Sequence, residues 1–238
     1  MDKHRPVTGS RLVRALSDLA VSDVQVSHRH FARRLGRLID LSDSISLSSV
    51  HGEMKNAHFE AGPASGEAIT AEFLRVRNGL VSTIVKSFSP GQSRVRIRFP
   101  RAESDAPDAG GSGYEPYGKF YAAHQRDMEF KIQQLQGQVR GVAAGASPQL
   151  AQLASLDKAL GDTLQVHTRK FFASIPRLLS RRFEHLLSDY DNRTDTWGQL
   201  MQLFSRDVQG LLLAEVETRL LPTQGLIEAL HTTSESTL

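Results

Sequence analysis

Glu115-Pro116-Tyr117-Gly118-Lys119-Phe120-Tyr121-Ala122-Ala123-His124-Gln125-Arg126-Asp127-Met128-Glu129 follows a Gly/Asp-rich break and opens a long amphipathic helix. Pro116 suits the first helical turn, where the backbone N–H it lacks would have no intrahelical partner. Tyr117, Tyr121, His124, Met128, Leu135 and Val139 then fall on one seam, with Ile132 beside it. That three-and-four spacing belongs to helices packed against other helices.

The same signals recur on either side. Ser147-Pro148 repeats the cap-plus-proline start and leads a helix bearing Leu150, Leu153, Leu156, Leu160 and Leu164. Pro176 is expected either to kink that helix or to start a new one over Arg177–Asp189. A polar turn at Asp191–Asp195 precedes a helix from about Trp197 to Leu220, burying Leu200, Leu203, Phe204, Val208 and Leu211. Pro222 is expected to break it, with a short helix over 223–231 and a frayed Thr/Ser-rich tail. Towards the N-terminus, the caps Ser10 and Ser27 begin helices over Arg11–Ala20 and as far as about Val50. Residues 51–66 read as a loop, and Glu67 to about Phe88 reads as a helix with Ile69, Phe73, Val76, Leu80 and Ile84 on one face.

Arg94-Val95-Arg96-Ile97-Arg98-Phe99-Pro100-Arg101 alternates cation and apolar residue, a strand period with no second strand to pair it. It is expected to be an extended segment lying on helices by its apolar side. The class is all-α: a multi-helix bundle with a short extended basic segment and a flexible mid-chain linker. Residues 8–100 form an N-terminal helical subdomain ending in the basic arm, 101–114 the linker and 115–231 a C-terminal helical bundle.

Composition narrows the chemistry. The chain of 238 residues has no cysteine, which excludes disulfides, thiolate zinc sites, iron–sulfur clusters and Cys nucleophiles and fits a reducing cytosol. Met1–Pro6 lacks a signal-peptide apolar core, and Leu211-Leu212-Leu213-Ala214 is cut short by Glu215, far below a membrane span. A soluble, cytoplasmic protein without direct membrane insertion is expected. Net charge is +3 but graded: residues 1–101 hold 16 Lys/Arg against 9 Asp/Glu, whereas residues 184–238 hold 3 against 9.

His28 and His30 are two apart on a helix and cannot chelate together, and His51 and His58 lie in a loop without an acidic companion motif. No metal or cofactor site is read. Serine-nucleophile, Walker and dinucleotide patterns are missing, so no catalytic residue is named and a non-enzyme is favoured. The densest charge lies in residues 75–101, where Arg75, Arg77, Lys86, Arg94, Arg96, Arg98 and Arg101 stand without one acidic residue. These cations fit a nucleic-acid backbone, with Phe88 and Phe99 available to stack on unpaired bases.

Several stretches together resemble an uncharacterised proteobacterial family, domain of unknown function 3348. They are Ser10–Arg14, Leu19–Val24, Phe31–Gly36, Pro116–Glu129, Ile175-Pro176, Arg182-Phe183-Glu184, Arg206–Gln209, Leu212–Glu215, Arg219-Leu220 and Gly225–Ala229. The turn around Asp191–Trp197 is shorter than in relatives. The family has no assigned reaction, and the resemblance implies an association with stator-like proton-channel membrane proteins. That arrangement is similar to Zorya-type phage defence.

The expectation is a non-enzymatic cytoplasmic adaptor or regulatory subunit docking on the cytoplasmic helices of such an inner-membrane complex. Tyr117, Tyr121, His124 and Arg126 form the expected docking surface, because aromatics and Arg anchor interfaces. The alternative is a nucleic-acid-binding component using residues 75–101. Oligomeric state stays open.

Overall fold

The computed structural model describes residues 11–19, 44, 48–49, 52, 59, 66–89, 96–101, 113–190 and 196–235. The chain is all-α, and no strand occurs among the described residues. The helices are α1 (Arg11–Leu19), α2 (Gly66–Ser87), α3 (Glu115–Ala146), α4 (Pro148–Tyr190) and α5 (Trp197–Glu235). Most of the helix expected from Ser27 to Val50, most of the loop at 51–66 and most of the linker at 101–114 lie outside the described residues.

Three helix starts are local chemistry. Tyr114 O accepts the N–H groups of Tyr117 (2.9 Å) and Gly118 (3.0 Å), closing the first turn of α3 around Pro116. Ser147 Oγ accepts from Leu150 N–H (3.2 Å) and Ser147 O from Ala151 N–H (2.9 Å), the cap that Ser147-Pro148 announces. Thr196 and Gln199 form a reciprocal capping box, with Thr196 N–H on Gln199 Oε1 at 2.8 Å.

The chain divides into two compact units. The first comprises residues 1–28, 79–128 and 173–218, and the second 29–78, 129–172 and 219–238. Each thus combines chain from before and after residues 101–114. In the first unit Leu80 and Ile84 (α2), Tyr117, Phe120, Tyr121 and Met128 (α3) are buried with Ile175, Leu179 and Phe183 (α4) and Phe204, Val208 and Leu211 (α5). Leu12 of α1 is fully buried there, and Arg11 pairs with Glu217 at 3.0 Å. Phe183 meets Tyr117, Trp197 and Phe204 at ring-centroid distances of 5.6, 5.8 and 5.3 Å. In the second unit Ile69 and Phe73 are buried with Ile132, Leu135, Val139, Leu150, Phe172, Leu220, Leu226 and Leu230. Arg140 pairs with Asp157 at 2.7 Å, and Arg219 lies 3.7 Å over the Phe172 ring.

The break expected at Pro222 does not occur. α5 runs 39 residues through Pro222, as α4 runs 43 through Pro176. An interior proline costs about 3 kcal/mol, whereas each fully buried Leu or Ile contributes about 1.5–3 kcal/mol. Beyond Pro222, Leu226, Ile227 and Leu230 are buried, and beyond Pro176, Leu179, Phe183 and Leu186, so continuation wins in both helices. Leu203, expected inside, is 39% exposed because Leu200, Phe204, Val208 and Leu211 define the inward face.

Tyr114 ties the start of α3 to α4: its hydroxyl donates to Pro176 O at 2.5 Å. Its ring crosses the first turn of α3, where a Cβ on Gly118 would lie 3.1 Å from Tyr114 Cε1. Gly118→Ala is expected to destabilise by about 1 kcal/mol, the crowding outweighing the gain in helix propensity. Gly141→Ala, whose Cβ meets nothing within 4 Å, is expected to stabilise by about 1 kcal/mol in urea unfolding.

Burial pushes the Tyr114 phenol above its ordinary value. The folded state therefore holds that proton more tightly than the unfolded chain, and its contribution is complete below about pH 10 and falls as pH rises beyond it. Tyr114→Phe should cost about 1 kcal/mol at neutral pH and flatten the alkaline part of the stability curve.

Candidate functional site

The α3 residues expected to form a docking surface are placed unequally. Tyr117, Tyr121 and His124 are 5%, 0% and 1% exposed, inside the first unit, while Arg126 is exposed. Three of the four therefore cannot meet an outside partner. The reason is geometric: the spacing that puts these residues on one stripe makes that stripe the inward face of the helix, and Arg126 falls off it.

What the stripe builds instead is a buried polar assembly. Tyr121 Oη donates to Glu215 Oε2 at 2.8 Å, and Gln125 Nε2 lies 3.1 Å from both carboxyl oxygens. Glu215 is fully buried on α5. Buried polar groups are kept only with partners, so these bonds fix the register of α3 against α5. One turn along α3, His124 Nε2 is 3.2 Å from Ser87 Oγ, and the imidazole meets Phe120 edge-on at 4.7 Å. Ser87 Oγ donates to Ile84 O at 2.7 Å. Its hydrogen is thereby used, so the histidine supplies the hydrogen in the other bond. A serine nucleophile needs the opposite polarity and access, and here Ser87 is 4% exposed. The pair joins helices.

Sequence reading did not single out Glu215, Gln125 or Ser87. The available signal was Glu215 itself, a lone acid within Leu211-Leu212-Leu213-Ala214-Glu215-Val216 on a face that is otherwise apolar. An acid in that position needs donors from a neighbouring helix.

The basic segment is divided between the units. Arg75 and Arg77 belong to the second, and Lys86, Arg96, Arg98 and Arg101 to the first. Arg75 is held by Glu72 through bonds of 2.6 and 2.5 Å, which keep the Glu72 carboxyl below its usual range. Arg77, Lys86, Arg96, Arg98 and Arg101 are exposed, and Arg94 lies outside the described residues. Residues 96–101 are non-helical, and Phe99 N–H donates to Ser87 O at 2.9 Å. Phe88 and Phe99 are not a platform for bases: they stack on each other at 4.7 Å, and both meet Phe120 edge-on, at 5.3 and 5.2 Å.

Among the described residues no three His, Asp or Glu side chains converge as metal ligands. His28, His30, His51 and His58 lie outside them. No described helix is long and apolar enough to cross a membrane.

Removing one member of the buried assembly strands the others. Tyr121→Phe should cost about 1.5–3 kcal/mol in urea unfolding, and so should Gln125→Leu. Tyr121→Phe combined with Glu215→Leu should cost less than the sum of the two single changes, because the donor and the acceptor leave together.

No curated protein and no solved structure matches the chain. Residues 1–232 match the family described as protein of unknown function DUF3348, and the chain belongs to that family.

Proposed function

We propose that this chain is a non-enzymatic cytoplasmic adaptor or regulatory subunit. It docks on a stator-like, proton-channel inner-membrane complex of the kind used in Zorya-type phage defence. The membrane partner comes from the family resemblance. The observation that carries a protein–protein role is a group of large apolar side chains left in water on the second unit. Phe130 of α3 is 63% exposed and Val166 of α4 is 58% exposed. Single exposed apolar residues are ordinary, but here each of two helices joined by an ion pair presents one.

Phe130 stands two residues from buried Ile132, about 200° round the helix and therefore outward. Its neighbour Glu129 pairs with Arg169 of α4 at 3.0 Å. Val166 precedes Arg169 by about one turn, on the same side of α4. The ion pair thus joins the two helices within about one turn of Phe130 on α3 and of Val166 on α4. An aromatic ring flanked by Arg is the composition of an interface anchor. Arg126, the exposed member of the expected docking set, leaves that set without its aromatics, so the anchoring role passes to Phe130.

The tagged full chain, purified from its own cells after membrane solubilisation and nuclease treatment, should retain membrane subunits. Phe130→Ser with Val166→Ser should lower that retention at least about tenfold, the loss of about 1.4 kcal/mol or more, with helicity unchanged. Retention equal to that of the parent chain would remove this surface, and a parent chain that retains no membrane subunit would remove the adaptor reading.

A further inference from the structure

We propose that Lys86, Arg96 and Arg101 of the first unit form a fixed edge that binds the phosphate backbone of duplex nucleic acid, without reading bases. This stands apart from the adaptor reading, which uses the second unit.

The arm is held through the backbone and ring of Phe99, contacts that do not use Arg96 or Arg101. The last turn of α2 is already closed: Ile84 O accepts Ser87 Oγ–H (2.7 Å), Val85 O accepts Phe88 N–H (3.3 Å) and Lys86 O accepts Ser89 N–H (3.2 Å). Ser87 O, the next carbonyl, takes Phe99 N–H at 2.9 Å. No guanidinium is needed as a cap there. The Phe99 ring is fixed between Phe88, Phe120 and Tyr117, at centroid distances of 4.7, 5.2 and 5.3 Å. With Phe99 seated, Arg96, Arg98 and Arg101 are exposed, and so is Lys86 in the last turn of α2. Residues 75–101 contain no acidic side chain to neutralise them within the segment.

The partner follows from what the edge lacks as well as what it carries. A lipid surface takes apolar insertion along with charge, and here the apolar side chain of Phe99 is committed to the helices. An acidic peptide would need pockets for its own anchors, whereas the aromatic rings of the arm fill one another's space. Phosphates in a regular row accept bare guanidinium and ammonium groups with no apolar contact. Single strands gain affinity by stacking bases on open rings, and Phe88 and Phe99 already stack on each other. A duplex, with its higher phosphate density, is therefore favoured.

The experiment is fluorescence anisotropy of the full chain with a short mixed-sequence DNA duplex and with either of its single strands. Three phosphate contacts predict that raising salt from about 50 to about 200 mM weakens duplex binding about 40-fold. Arg96→Gln with Arg101→Gln should reduce that dependence to about 3- to 4-fold. Arg177→Gln, at another exposed arginine of the first unit, should leave it unchanged. Circular dichroism of both variants should match the parent's helicity.

Absence of duplex binding at low salt overturns the proposal. So does a salt dependence that the double change leaves intact. Tighter binding of the single strand would mean that rings are available to bases, and displacement of the duplex by equimolar poly-glutamate would make the edge a general polyanion site. Either result is incompatible with the assignment.

Discussion

A carboxyl group with no access to water has to find its donors within the protein, and Glu215 imposes that requirement on the first unit. Tyr121 and Gln125 of α3 meet it, and their bonds allow one register between α3 and α5. Apolar packing alone tolerates sliding by a turn, since one leucine face resembles the next. A hydroxyl 2.8 Å from a buried acceptor does not. The aromatic contacts of Phe183 with Tyr117 and Phe204 follow from that register. So does the position of His124, one turn along α3, beside Ser87.

Ser87 extends the constraint from the interior to the surface. Its hydroxyl faces His124 and its carbonyl receives the Phe99 N–H, so one residue at the end of α2 meets both the buried assembly and the basic arm. The arm is thereby a fixed feature of the first unit. The second unit is built differently, with its ion pairs Arg140–Asp157 and Arg169–Glu129 joining α3 to α4. Its most exposed apolar side chains lie on those same two helices. The two proposed binding surfaces thus rest on separate supports, charge on one unit and apolar area on the other.

Most of the helix pattern was legible in residues 66–235, because caps and periodicity are local. Ser147-Pro148 and Pro116 marked their helix starts, and the stripe through Ile69, Phe73, Leu80 and Ile84 marked α2. The alternation in Arg94–Arg101 made the inward packing of Phe99 legible. Pro222 was misleading, because the burial that carries α5 past it comes from other helices distant in sequence. Tyr117, Tyr121 and His124 were found by their spacing and misassigned by their type. Aromatics and histidine suit an interface between proteins and the interior of one equally well, and only the position of the neighbouring helices separates the two. Glu215 was passed over because a sequence shows an acid without showing its donors.

Tyr114 and Gly118 form a two-residue lock at the start of α3, and the lock restricts how this sequence can drift. A side chain at 118 is obstructed while the ring at 114 lies across the turn, and loss of the ring releases the bond to Pro176 O. Neither position can change freely alone. The tolerated order is loss of the ring first, with a new side chain at 118 afterwards to fill its place. Divergent copies of this chain should accordingly carry correlated residues at these two positions, one large and the other absent. Such a pairing would record in descent a contact that spans four residues of backbone.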